Sequence, residues 1–209
     1  MKNAHLHSPT SAAPPPTLLE MLGVSLPAAT LGNAVLLIID AQREYVDGRL
    51  PLAGIAASLA VGGRLLARAR AAGTQVVHVL HRGGGPLFDL QASGGQAAAP
   101  LLPENGEAVV HKSMANAFAG TDLLSILQQS GRQQLIVIGY MTHNCVSSTV
   151  RAALDLGYRS TVVAAATATR DLPDGLGGCL PAASVQAASL AGLADTIARI
   201  VGDDADIPD

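Results

Sequence analysis

Three residues of reactive type stand where short apolar runs end. Asp40 closes VLLIID (35–40), Lys112 closes AVVHK (108–112), and Cys145 follows LIVIG (135–139) at the start of the next helical stretch. Each has an ordinary explanation when taken singly. An aspartate after an apolar strand often caps a turn, a lysine at a strand end is often a solvated charge, and a cysteine at a helix start is often a small core hydrophobe. Together they suit acyl transfer through a thioester. A helix N-terminus and a nearby ammonium should lower the pKa of the Cys145 thiol. Asp40 can take the thiol proton and return it to a leaving amine, with Lys112 holding the thiolate and orienting the carboxylate. Backbone N–H groups in the turn GYMTHNC (139–145) are placed to face a developing oxyanion. On this reading Cys145 is the reactive thiol and Cys179, in the loop DLPDGLGGCLPA (171–182), is incidental.

Convergence of these residues requires a particular scaffold. The runs 35–40, 75–81, 108–112, 135–139 and 160–166 read as buried strands, and 196–201 as a sixth. Between them, 54–73, 121–131, 144–157 and 181–195 have helical spacing and plausible stops. Alternation of this kind predicts an α/β fold: a doubly wound, mostly parallel six-stranded sheet in three layers, with helices on both faces. Ligands of such sheets bind beyond the carboxyl ends of the strands, where all three reactive residues fall. The Gly62-Gly63 pair weakens the first long helix by about 1 kcal/mol per glycine. The Gly-rich stretch 82–107 is either a lid over the site or an ordered surface excursion.

Composition bounds the rest. With 49% hydrophobic and 14% charged residues in 209, the chain can bury a core, and having no Trp it must build that core from aliphatic side chains. A net charge of −3 without any basic stripe argues against nucleic acid. No apolar run is long enough for a membrane span, and the N-terminus does not look like a secretory signal. A cytoplasmic protein with two free cysteines is therefore expected. Residues 1–16, rich in Pro, Ser and Ala, are expected to form a flexible arm ahead of one hydrolase domain over 17–209. Within it, 17–23 reads as a short helix docked on the body or on a neighbouring subunit.

VLLIIDAQREY (35–45), HKSMANAF (111–118) and GYMTHNCVSSTVRAALDLGY (139–158) together resemble the isochorismatase-like cysteine hydrolases. That family includes nicotinamidases, N-carbamoylsarcosine amidohydrolase and isochorismatases. The likeness covers roughly residues 32–202. It implies Asp40 as general base, Lys112 as third triad member and Cys145 as nucleophile. It also implies a non-proline cis peptide at Tyr140–Met141, aiming the Met141 N–H beside that of Cys145 into an oxyanion hole. Gln42 and Phe118 match positions that tend to line the pocket.

The histidines are weighed separately. His143 is a candidate for substrate contact or for support of the turn, and His81 is the other histidine placed to meet substrate. Nicotinamidases bind a metal through an Asp-x-His segment and a further His. Here HRGGGPLFDL (81–90) offers only His81, so neither metal nor other cofactor is expected. Isochorismatases proper usually lack the nucleophilic cysteine that this chain has. The expected activity is hydrolysis of a small amide, ureide or related C–N bond. The alternatives are enol-ether cleavage without covalent catalysis and a non-catalytic, metabolite-binding protein. Family habit implies a homo-oligomer, dimer or tetramer.

Overall fold

The computed structural model describes residues 13–209. The flexible arm expected over 1–16 lies outside the described residues up to residue 12, as do His5 and His7; Ala13 to Pro16 are exposed. Six strands, β1 (Ala34–Ile39), β2 (Gln75–His81), β3 (Ala108–Lys112), β4 (Gln134–Tyr140), β5 (Arg159–Ala168) and β6 (Ala198–Val201), form one sheet. Its order is β3-β2-β1-β4-β5-β6, and every neighbouring pair is parallel. The order reverses between β1 and β4, the switch point at which doubly wound sheets open a ligand crevice.

Every residue of β1 is buried, as its unbroken apolar run requires. The strand's period of two divides it between two cores. Leu36 and Ile38 meet Leu59, Leu65 and Leu66 of helix α2 (Ile55–Ala71) on one face. On the other, Val35, Leu37 and Ile39 meet Leu123 and Leu127 of α3 (Leu123–Ser130) and Val150 of α4 (Ser147–Asp155). Each such aliphatic side chain stabilises the fold by about 1.5–3 kcal/mol. Helix α5 (Ala182–Ala194) adds Leu193 to the second core.

The short helix α1 (Leu18–Met21) docks on the body: the Leu18 N–H donates to Asp195 Oδ1 at 2.8 Å. The Gly/Pro loop after β5 forms a small antiparallel ribbon, Leu172–Pro173 against Cys179–Leu180, that the sequence reading did not anticipate.

Residues 93–107 are an ordered strap. Gln42 and Ala97 form a β-bridge across it, and Leu101 is buried. The two glycines of α2 have a packing reason. A Cβ on Gly63 would lie 2.5 Å from Pro100 Cγ, and one on Gly62 would lie 3.2 Å from Leu101 Cδ1. What reads locally as a weakened helix is the seat of the strap. Among the described residues no helix is long and apolar enough to cross a membrane.

Candidate active site

The site is assembled at the switch point. Asp40, immediately after β1, has φ +49°, a conformation uncommon for residues other than glycine. Its N–H donates to Val79 O of β2 at 2.8 Å. Beside it, β1 and β4 approach so closely that a Cβ on Gly139 would lie 1.9 Å from Ile39 O, and Gly139 itself has φ +115°. The Tyr140–Met141 peptide is cis, as the resemblance implies. The helix expected over 144–157 is divided: Thr142–Val146 is a π-turn that carries Cys145, and α4 begins only at Ser147. Such turns are rare and frequent at functional sites. Thr142 Oγ1 donates to Ala168 O at 3.1 Å, tying the turn to the end of β5.

Asp40, Lys112 and Cys145 do converge. Lys112 Nζ is 2.7 Å from Asp40 Oδ2 and 3.2 Å from Cys145 Sγ. All three side chains are buried, with relative exposures of 0%, 1% and 4%. The ion pair is close but poorly aligned, and neither Asp40 oxygen receives a well-directed hydrogen bond. Burial pushes the Asp40 carboxyl up, against the lowering effect of Lys112. The Cys145 thiol is pushed up to about 12, first by burial and then by the Asp40 charge, with Lys112 opposing both. This corrects the expectation of a lowered thiol pKa: desolvation of the thiolate outweighs the ammonium and the turn's N–H groups. Cys179 is the exposed thiol.

The Met141 N–H has no hydrogen-bond acceptor among the described residues, while Asn144 and Val146 N–H donate to Met141 O at 3.0 and 3.2 Å. The Met141 carbonyl thus anchors the start of the turn, while the Met141 N–H, in the cis peptide before it, is left over.

The remaining candidates separate. His81 ends β2 with Nδ1 3.3 Å from Lys112 Nζ, so it meets the Asp–Lys–Cys cluster itself. Burial and the Lys112 charge push its pKa down to about 4, and its ring is therefore neutral at physiological pH. His143 is half-buried with Nδ1 2.6 Å from Thr169 Oγ1, a contact that supports the turn. Burial and the Arg170 charge lower its pKa.

Gln42 does not line a pocket. It is fully buried, and its amide is spent on the backbone: Nε2 donates to His81 O (2.9 Å) and Gly95 O (2.8 Å), and Oε1 accepts from His81 N (2.8 Å). Phe118 also lies away from the Asp–Lys–Cys cluster. Its ring stacks on Tyr158, 6.5 Å between centroids, at the residue before β5 begins and so at the opposite end of the strands from the triad. Among the described residues no three His, Cys, Asp or Glu side chains converge on a point.

Two aromatic residues went unrecognised as part of the site. Phe88, at φ +57°, sets its ring edge-on against His81 (5.2 Å) and Tyr45 (5.0 Å). Tyr45, read from sequence as part of a turn, is buried between Phe88 and Tyr140. Phe88 in a Gly-rich segment was the available signal, since a lone aromatic in a polar loop of an aromatic-poor chain calls for a packing partner. Arg170, two residues past β5, has a buried Nε without a partner among the described residues.

A doubly wound α/β sheet with a buried Asp–Lys–Cys cluster at its switch point and a cis peptide beside the cysteine defines a narrow class of hydrolase. Residues 34–200 match the isochorismatase domain family. A secreted isochorismatase effector of Verticillium dahliae is 38% identical over 184 residues, 87% of this chain and 94% of its own length. The maleamate amidohydrolase of Pseudomonas putida is 32% identical over 146 residues, 61% of this chain and 68% of its own. A crystal structure of an isochorismatase from Pseudomonas putida KT2440 superposes with a TM-score of 0.88 at 43% identity, covering 92% of this chain and 99% of that one. The chain belongs to the isochorismatase family and is a hydrolase.

Proposed function

We propose that the protein hydrolyses the C–N bond of a small amide or ureide through a thioester on Cys145. The observation that carries this reading is Lys112 Nζ lying 2.7 Å from Asp40 Oδ2 and 3.2 Å from Cys145 Sγ in a buried cluster. With its pKa pushed up to about 12, the resting thiol is protonated, so attack needs a base at the moment of reaction. Asp40 takes the thiol proton as Sγ bonds to the substrate carbonyl carbon. The carbonyl oxygen becomes an oxyanion facing the Met141 and Cys145 N–H groups. As the tetrahedral species collapses, the C–N bond breaks and the proton on Asp40 passes to the leaving nitrogen. Water then attacks the thioester, losing a proton to Asp40, and that proton returns to Sγ as the acid leaves. Lys112 stays cationic and balances whichever of Asp40 and Cys145 carries the negative charge. The amidohydrolase name of the Pseudomonas putida relative is consistent with this chemistry.

The test is a panel of small amides and ureides scored for ammonia or amine, with intact mass recorded during turnover. Nitrogen release together with an acyl adduct located on Cys145, both lost in Cys145→Ala, is the expected result. Nitrogen release that survives Cys145→Ala would overturn the thioester. Enol-ether cleavage is a second reading, because two relatives carry the name isochorismatase. It predicts pyruvate from isochorismate, no protein adduct, and activity that persists in Cys145→Ala.

A further inference from the structure

Lys112 is an ammonium with three N–H donors and almost no contact with water. Cys145 Sγ accepts one of them at 3.2 Å, and Asp40 Oδ2 faces another as an ion-pair partner at 2.7 Å, without the alignment of a hydrogen bond. The nearest group for the third is His81 Nδ1 at 3.3 Å. A buried donor without an acceptor is costly, more so when charged, so this contact completes the shell of the triad cation. It also fixes the tautomer. To accept from an ammonium, Nδ1 must carry the lone pair and Nε2 the proton.

The surrounding residues hold His81 in that pose from both sides. Gln42 brackets its backbone, donating to its carbonyl and accepting from its N–H, and reaches on to Gly95 O of the strap. Phe88 packs edge-on against its ring. No carboxylate forms an ion pair with His81 among the described residues, and burial together with the Lys112 charge disfavours a protonated imidazole.

We propose that His81 is a positioning residue of the triad: as a neutral Nδ1 acceptor it holds the third N–H of Lys112 and thereby keeps the ammonium between Asp40 and Cys145. The inference rests on the thioester reading for its consequence in turnover, although the contact itself does not depend on it. It also explains why Gln42, the second residue after the triad aspartate, is spent on backbone rather than offered to substrate. Its amide is what orients His81.

Two measurements on the full chain decide it. Long-range proton–nitrogen NMR of the histidine side chains at neutral pH is expected to show His81 with an unprotonated Nδ1 and a protonated Nε2. The opposite tautomer would overturn the proposal. The second measurement compares His81→Asn and His81→Ala in a Cys179→Ser background, following iodoacetamide modification of Cys145 well below each variant's melting temperature. Asparagine retains an acceptor close to the Nδ1 position, and alanine does not. Alanine is expected to slow modification about tenfold, the scale of one lost hydrogen bond to a charged group, and asparagine to stay within about threefold of the parent by the same measure. Equal rates in all three proteins, or equal losses in both variants, would show that His81 is only packing. If no amide or ureide is turned over, the thioester reading fails, while the tautomer and the modification rates still decide the role of His81.

Discussion

Asp40→Asn should make Cys145 more reactive towards alkylation while abolishing turnover. Sγ and Oδ2 contact the same ammonium at 3.2 and 2.7 Å, so they are at most about 5.9 Å apart, the two legs laid end to end. At an effective dielectric of about 20, thiolate and carboxylate at that distance repel by about 3 kcal/mol, which is roughly two pKa units. Removing the charge should lower a thiol now held at about 12 by about that amount, raising the thiolate fraction at pH 8 about a hundredfold. The less basic thiolate is a poorer nucleophile, and a Brønsted coefficient near 0.4–0.5 takes back close to tenfold. The net expectation is alkylation about tenfold faster at pH 8, with turnover falling by about 10²–10⁴ through loss of the base. The assay is the iodoacetamide rate against pH, with the adduct located by peptide mass. It needs a Cys179→Ser background, because the exposed Cys179 is expected to label first in the natural chain. Slower alkylation in Asp40→Asn, or retained turnover, would refute the assignment of Asp40 as base and the electrostatic reasoning with it.

Other perturbations have equally definite signs. Lys112→Met strands a buried carboxylate at Asp40 and should cost about 3–5 kcal/mol at neutral pH, read by thermal or denaturant unfolding. Because burial then raises the Asp40 pKa with its main opposition, Lys112, removed, the folded state binds more protons than the unfolded one. Stability of that variant should therefore fall as pH rises above the ordinary carboxylate value, and its deficit should shrink on acidification. Glu107 behaves in the opposite sense. Arg70, with help from the Glu104 backbone and His78, holds its carboxyl down at about 2, so the stability it contributes is present above the ordinary value near 4.5 and is lost as pH falls towards 2. Glu107→Gln should lower the melting temperature at pH 7 by about 2–6 °C, corresponding to about 1–2 kcal/mol after solvent screening, and the difference should vanish near pH 2. Gly139→Ala should fail to fold or should melt far below the parent, since its Cβ would meet Ile39 O at 1.9 Å. Chelation by EDTA should leave activity unchanged, with metal content checked by elemental analysis, because His81 spends its Nδ1 lone pair on an ammonium.

The strands were the most legible part of the molecule. Gln75–His81 and Ala108–Lys112 coincide with their sequence readings, and β1 and β4 differ by one residue at each end. A fully buried parallel strand is an apolar run bounded by turn residues, so its signal is local. The Asp–Lys–Cys cluster inherits that legibility. Once strand ends are known, a doubly wound sheet brings them to one crevice whatever their separation in sequence. What the notation of strands and helices does not contain is direction. Gln42 and Phe118 occupy the right stretches, but one turns back to bracket His81 and the other reaches Tyr158 at the far end of β5. These outcomes depend on partners 39 and 40 positions away, and no local pattern encodes them.

The thiol pKa shows the same division in energetic form. A helix start and a nearby ammonium are both readable, and both lower a thiol pKa. Burial is a property of the assembled site, and at 4% exposure it dominates. The π-turn also places Cys145 ahead of the regular helix, an insertion that local helical spacing does not reveal. A sealed, protonated nucleophile beside a buried ion pair is suited to reacting only when substrate is in place. In the mechanism proposed above, Asp40 accepts the proton as the substrate arrives, without a thiolate having stood exposed to oxidation. The strap and the cluster are then linked through one side chain. Phe88 and the strap orient His81, His81 holds Lys112, and Lys112 sets the balance of charge between Asp40 and Cys145. A change in the strap far from the sulfur should therefore be felt in kcat before it is felt in the fold.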